Sequence, residues 1–236
     1  MAIAASATPK SDGGPRTLTD QAYQRLRDDI IHGHLAPNTK LRIEPLRKQY
    51  GVGATPLREA LSRLSADGFV TIEGQRGFKV ADMTPEDLED VTNLRVVLES
   101  QALTQSILKG DDAWEARIVA AFHSLSKIEE SKGERDIQEW ELRNSAFHDA
   151  LTAACSSQWL RRFYTILYDQ HKRYRNLARS DTAGKRDLHA EHEAIYKAAL
   201  ARDVDAACKA NEFHIRQTAE VVQRLMEDEW QETAKA

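Results

Sequence analysis

The sequence predicts a mainly α-helical protein: a small N-terminal head closed by a β-hairpin, then a longer C-terminal antiparallel α-helical bundle. Three observations lead there. Residues 17–82 hold three short helical patterns followed by two short strand-like patterns, whereas from Met83 onward the period stays helical with no convincing strand. The composition is that of a packed globular chain, with 41% hydrophobic and 30% charged residues among 236. No run approaches the roughly 20 apolar residues of a membrane span. The N-terminus lacks a basic-then-apolar signal pattern, and the two cysteines, Cys155 and Cys208, point to a reducing cytoplasm rather than a disulfide scaffold.

Taken in order, residues 1–16 are small, polar and rich in Gly and Pro, the composition of a disordered tail. A first helix fits Thr19 to His32, with Tyr23, Leu26 and Ile30 on one face, Thr19 as N-cap and Gly33 as the stop. A second fits Ile43 to Tyr50, where Pro45 is tolerated only in the first turn, and Gly51 ends it. The third starts with Thr55 as N-cap and Pro56 behind it. It turns Leu57, Leu61 and Leu64 inward, leaves Arg58, Ser62 and Arg63 toward solvent, and closes at Gly68. Phe69–Ile72 and Phe78–Val80 are strand candidates joined by a loop containing Gly74, Arg76 and Gly77. Helix, helix-turn-helix, then hairpin describes a winged helix-turn-helix over residues 17–82.

In the second part, residues 83–236, Thr84-Pro85-Glu86-Asp87 is a strong helix start, and Leu88, Val91, Leu94 and Leu98 continue an apolar stripe toward Gly110. Further helices fit about 112–131, 134–155, 157–179, 184–202 and 204–230. Asp111, Asp203 and the Ser180–Gly184 cluster punctuate them. Six helices joined by short loops make an antiparallel bundle.

Charge follows the same division. Residues 1–82 carry 12 Lys and Arg against 9 Asp and Glu, while residues 83–236 carry 21 against 28. The net charge of −4 therefore averages a positive head and an acidic bundle. An exposed helix face bearing Arg58, Ser62 and Arg63 suits the major groove, where Arg holds guanine O6 and N7 through two hydrogen bonds. Arg76 and Lys79 in the hairpin are placed for phosphates or the minor groove, and Gly77 lets the loop approach closely.

These residues resemble a known family. Ala22-Tyr23 through Leu26, Ile30, Gly33, Leu35, Pro37 and Leu41, then Thr55-Pro56-Leu57-Arg58-Glu59-Ala60-Leu61, and Arg76-Gly77-Phe78-Lys79-Val80 are similar to GntR-family transcription regulators over residues 18–81. The resemblance implies a regulator that binds a palindromic double-stranded operator as a homodimer, with operator contacts at Arg58 and around Gly77. The family commonly has Ser-Arg before the recognition helix, and here Gly53-Ala54 stands in that place. Arg42, Arg47 or Lys48 then supplies part of the missing charge, and Thr55 joins the contact set.

The all-α second part resembles the FadR subfamily, whose ligand-binding module is called FCD. Leu94-Arg95 to Leu98-Glu99 match, and so do the histidines. Asn144 and His148, four apart, project from one helix face, with His192 in EHEAI and His214 in NEFHIR. The resemblance implies a divalent-metal site built from His148, His192 and His214, with Asn144 in the place of the usual acidic ligand. Three neutral imidazoles and one oxygen suit Zn²⁺ or Ni²⁺. Alternatively, the histidines bind an effector directly. His189 is second to these or on the surface, and His123 and His171 are structural or exposed. Glu191 and Glu193 are expected to point elsewhere on their helix.

Arg95 is the first candidate to pair an effector carboxylate, with a salt bridge to Glu99 four residues on as the competing reading. Arg173, Arg175 and Asn211 are further effector-site candidates. Trp140-Glu141-Leu142-Arg143 followed by Ala146-Phe147-His148 resembles the CsiR-type branch, which implies a five-carbon diacid such as glutarate. Phe147, Leu151, Trp159, Phe163 and Leu167 read as core or dimer contacts. The alternative function is a metal-dependent hydrolase using the same histidines, although no general base is evident.

Overall fold

The computed structural model describes residues 17–74, 77–131, 136–177 and 186–233. The expected tail over residues 1–16, Arg76 and the Ser180–Gly184 cluster lie outside them. The chain forms two compact units that meet between Ala81 and Asp82, with Ile31–Gly33 falling in the second. Among the described residues there are nine helices and three strands, and none of the helices is long and apolar enough to cross a membrane.

The first unit carries α1 (Leu18–Ile31), α2 (Ile43–Tyr50) and α3 (Ala54–Ala66) with a sheet of β1 (Lys40–Leu41), β2 (Val70–Ile72) and β3 (Phe78–Val80). The strands are antiparallel in the order β1-β3-β2. Leu26, Leu46, Leu57, Leu61, Leu64 and Val80 are buried, as their helical and strand spacing requires. β1 was not expected. Two residues are too few to show alternation, and only pairing of Lys40 with Lys79 and Leu41 with Phe78 makes them a strand.

Two helix starts differ from expectation. Thr17, not Thr19, caps α1: its Oγ accepts the Asp20 N–H at 3.0 Å, while the Thr19 hydroxyl donates to Glu59 on α3 at 2.8 Å. Helix α3 begins at Ala54 with Gly53 in the cap position and no side-chain cap bond, so Thr55 lies within the first turn. Pro56 is compatible with this, because first-turn N–H groups have no intrahelical acceptor to lose.

The second unit is a bundle of α4 (Pro85–Lys109), α5 (Asp112–Glu129), α6 (Ile137–Leu151), α7 (Gln158–Leu177), α8 (Leu188–Leu200) and α9 (Val204–Thr233). Each begins at its own side-chain acceptor. Thr84, Asp111, Asp136, Ser157, Asp187 and Asp203 take first-turn N–H groups at 2.9–3.3 Å, each worth about 1 kcal/mol. Helix α4 packs against α7 and α9, α5 against α6 and α8, and α8 against α9. Leu103, Ile107, Trp114, Ile118, Phe147, Leu151 and Ile195 form the core.

Gly110 ends α4 because nothing larger fits. A Cβ there would stand 2.3 Å from the Trp114 ring and 2.7 Å from the Ser106 carbonyl oxygen. Gly110→Ala is expected to cost about 1–3 kcal/mol through overpacking, seen as a lowered unfolding midpoint in thermal denaturation.

The apolar stripe expected along α4 is rotated in its middle. Leu88 and Val91 are buried, but Leu94 is 48% exposed while Arg95 and Glu99 are 1% and 2% exposed. A charged pair occupies inward positions because it serves a polar interior, described next.

Candidate functional site

Helices α6, α8 and α9 each direct one histidine into the bundle. His148, His192 and His214 are all buried, and one ring nitrogen of each lies within 4.8 Å of the others. Every ring is held from behind by a carboxylate. His148 Nδ1 is 3.3 Å from Glu99, His192 Nδ1 is 2.8 Å from Glu129, and His214 Nδ1 is 2.8 Å from Glu191. A carboxylate accepts only, so each Nδ1 carries the proton and each Nε2 keeps its lone pair. His192 Nε2 has no partner among the described residues.

The carboxylates are themselves fixed. Glu129 also accepts from the Trp140 indole at 3.0 Å, and Glu191 is gripped by Arg186, whose Nε and Nη2 donate to its two oxygens. Arg186 further reaches the His214 carbonyl and the Thr218 hydroxyl, each at 2.8 Å. Glu191 was expected to face away from the histidines. It lies on α8 one position before His192, yet turns to a histidine of the adjacent helix, an arrangement that spacing along α8 does not reveal.

Asn144, one turn before His148, donates its Nδ2 to the Tyr168 hydroxyl at 3.3 Å. Its buried Oδ1 meets no donor among the described residues. Asn211, one turn before His214 and 1% exposed, has neither amide atom satisfied among them. Buried amides are normally paired, and these are not among the described residues.

Arg95 makes the salt bridge to Glu99 that was its competing reading. Nε donates to Glu99 at 2.9 Å and Nη1 lies 3.0 Å from His171 Nδ1, with the guanidinium 4.7 Å from the Tyr168 ring centroid. Nη2 is buried with no partner among the described residues. Burial alone would raise the Glu99 carboxyl, but the Arg95 charge and the His148 bond outweigh it and hold it at about 2. Burial pushes His148 down to about 4, against the pull of Glu99. His171 and His214 are also pushed well down, by burial and then by nearby cationic and imidazole groups. Neutral imidazoles are the form that binds a metal.

The other candidates have partners of their own, and Arg175 also lies 5.6 Å from the Tyr168 ring centroid. Arg175 is committed to Glu141 at 2.6 and 3.1 Å. Arg173, on the opposite face of α7 from His171, is 3.5 Å from the Asp82 carbonyl and does not join the cluster. His189 lies 3.6 Å from Glu129, behind His192, and His123 is exposed. His171 is the residue that sequence reasoning passed over. It has no spacing partner on α7 and is drawn in only by Arg95, 76 positions away.

In the first unit Arg58 and Ser62 are exposed on α3, and Arg58 makes no hydrogen bond or ion pair among the described residues. Arg63 is half tied down: it donates to Asp20 at 2.6 Å and lies 4.4 Å over the Tyr23 ring. Arg42, in the cap position of α2, is exposed, as are Lys48 and Thr55. Arg47 bonds Glu44 at 3.0 Å. At the hairpin, Gly77 adopts φ 111°, a conformation that disfavours any side chain, and Lys79 is 3.6 Å from Glu73.

Comparison with known proteins accords with this division. Residues 18–80 match the family of bacterial regulatory proteins called gntR, and residues 90–217 match the FCD domain. The chain is 42% identical over 225 residues to the HTH-type transcriptional regulator BphR of Paraburkholderia xenovorans, covering 94% of this chain and 91% of that one. It is 36% identical over 216 residues to the HTH-type transcriptional repressor GlaR of Escherichia coli, covering 89% and 98%. Among solved structures, Escherichia coli McbR/YncC shares the fold with a TM-score of 0.77 at 19% identity, over 89% of this chain and 99% of that one. The family and these relatives are transcriptional regulators, not enzymes, which sets the hydrolase alternative aside. The chain belongs to the GntR family, as a FadR-type DNA-binding transcription regulator with an FCD effector-binding domain.

Proposed function

We infer that this regulator represses a metabolic operon: it binds a palindromic operator as a homodimer and is released or retuned by a small carboxylate. The carrying observation is the buried cluster itself. Three imidazoles bring one ring nitrogen each within 4.8 Å of one another, with their Nδ1 atoms on carboxylates, and Asn144 Oδ1 and Arg95 Nη2 stand unsatisfied among the described residues. The name of the GlaR relative supports repression as the direction.

The donor set fits a divalent transition metal. His148, His192 and His214 would hold it with Asn144 as an oxygen donor, and Zn²⁺ or Ni²⁺ suits three imidazoles and one neutral oxygen. When bound, the ion would supply a positive centre for one oxygen of the effector. The chain's own residues orient the rings, exclude water and offer Arg95 to the anion. Arg173 and Asn211 were placed in the effector set from sequence. Of these, Asn211 retains unsatisfied atoms in the bundle interior. Trp159 and Phe163, exposed and stacked at 6.0 Å, are candidates for the contact between two copies.

Effector binding alters DNA affinity only by discriminating between two states of the dimer. The test is a gel shift on the promoter region upstream of the protein's own gene, combined with elemental analysis and a thermal-shift screen of small acids, glutarate first. Operator binding relieved by one acid, with stoichiometric metal, supports the reading. Acid binding indifferent to chelator would leave the histidines as direct ligands, and failure to bind any palindrome at low salt would overturn the proposal.

Arg58→Ala is expected to lose about 1–3 kcal/mol per half-site while circular dichroism stays that of the wild type, since Arg58 supports no described contact. Wild-type operator affinity in a titration would remove Arg58 from the reading helix.

A further inference from the structure

We propose that Arg63 does not read DNA but positions the helix that does. It holds α3 against α1 at the rotation that turns Arg58 and Ser62 toward the groove, and so sets sequence specificity without touching a base. This goes beyond the DNA-binding role of the family and depends on neither the effector nor a metal.

Arg63 is exposed like Arg58 but does not share its bearing. At about 100° per residue, Ser62 stands about 40° round α3 from Arg58, and Arg63 about 140°. The residues on its own line are Glu59 and the cap residue Asp67, each four positions away. These three form a stripe between the open face and the buried face of Leu57, Ala60, Leu61 and Leu64. Each meets a polar residue near the start of α1. The Thr19 hydroxyl donates to Glu59 at 2.8 Å, Arg63 Nη1 donates to Asp20 at 2.6 Å, and the Tyr23 hydroxyl donates to Asp67 at 2.6 Å. The Arg63 guanidinium also lies 4.4 Å from the Tyr23 ring centroid, which joins the middle tie to the last. Asp20 is itself fixed, since its other oxygen accepts from the Thr17 hydroxyl at 2.8 Å.

Two kinds of contact hold α3, with different consequences. Packing of its leucines is non-directional, and exposed ion pairs add little stability. Hydrogen bonds are directional. Three of them, spread from Glu59 to Asp67 over about 12 Å of helix, fix both the rotation and the tilt of α3. Arg58 has no described contact of its own, so its position is that of the helix. A guanine held through two hydrogen bonds tolerates little rotation of the arginine that holds it. Arg63 was placed among the groove contacts from sequence; its charge is committed to Asp20, behind them.

The test takes the full-length protein and a duplex that the wild type selects from a randomised pool. Its affinity is compared with that for a scrambled duplex of the same length, over a range of salt. Asp20→Ala separates the two roles by sign, and it keeps the backbone N–H that Thr17 caps. If Arg63 positions α3, loss of its partner should lower the preference for the selected duplex at least about fivefold, the low end of the cost of one mismatched base pair. If Arg63 contacts DNA, the same variant frees it, and the preference stays or rises. Arg63→Met should lower the preference to a similar extent while the salt dependence stays that of the wild type. The double variant should be no worse than either single one, because both break one contact. Selection repeated with Arg63→Met should give a site weakened at every position that is read. Both side chains are partly exposed, and circular dichroism should stay that of the wild type in each variant. An undiminished preference in Asp20→Ala overturns the proposal. So does a salt slope reduced by about one in Arg63→Met, the mark of a lost phosphate contact, or relaxation at a single base pair, the mark of a lost base contact.

Discussion

Replacing Arg95 with methionine is expected to destabilise the helical unit by about 3–5 kcal/mol, the scale of a buried ion pair broken from one side. Arg95 and Glu99 are 1% and 2% exposed, and the Nε–Oε2 distance is 2.9 Å. Methionine approximates the volume but leaves Glu99 charged and half-paired, or forces a proton onto a carboxyl held at about 2. Urea denaturation followed by circular dichroism reads the loss directly. Arg95→Met with Glu99→Gln should recover most of it, because the two effects are coupled through one contact. A single-variant loss below about 1 kcal/mol would mean that the pair behaves as a surface one. The same replacement removes the proposed anion clamp, so effector affinity should fall by about 2–5 kcal/mol.

The second large effect concerns the histidine cluster. His192→Ala should reduce copurified metal to background and weaken affinity by more than about 100-fold, beyond the roughly 10–100-fold typical of losing an outer partner. Glu129→Gln should fall within that range. Gln can still accept from His192, but it withdraws the negative charge that makes the imidazole a stronger donor. The two variants differ in size but not in direction, which separates direct holding from orientation. Elemental analysis showing full occupancy in His192→Ala would place the ion elsewhere. Stripping metal from wild type with a chelator should also lower the unfolding midpoint. A ligand at 100 times its dissociation constant contributes about 2.7 kcal/mol.

What was legible in the sequence is what depends on neighbours along the chain. Helix α2 appears where Pro45 and Gly51 bound it, and α4 where Thr84-Pro85-Glu86-Asp87 starts it. Asn144 and His148 share a face by spacing alone, and the resemblance supplied His192 and His214. The carboxylates behind the rings were not legible, except for Glu99 as a partner of Arg95. Glu99, Glu129 and Glu191 lie 49, 63 and 23 positions from the histidines they hold. No periodicity records such pairs. For the same reason β1 and His171 escaped notice, being defined by a partner strand and a partner side chain. The stripe on α4 misled at Leu94 because an inward polar pair breaks the rule that apolar spacing marks the buried face.

The capped helix starts have a consequence for how this site can change. Asn144 and His148 are reached from the Asp136 cap, His192 from Asp187, His214 from Asp203, and Arg95 and Glu99 from Thr84. An α-helix turns through about 100° per residue, so each ligand's bearing is a phase counted from its cap. Lengthening a connection before a cap leaves that phase untouched. Inserting one residue between cap and ligand swings the side chain out of the cluster. The loops of this bundle are therefore free to drift in length, while the stretch from cap to these residues in each of four helices is locked to an integer count.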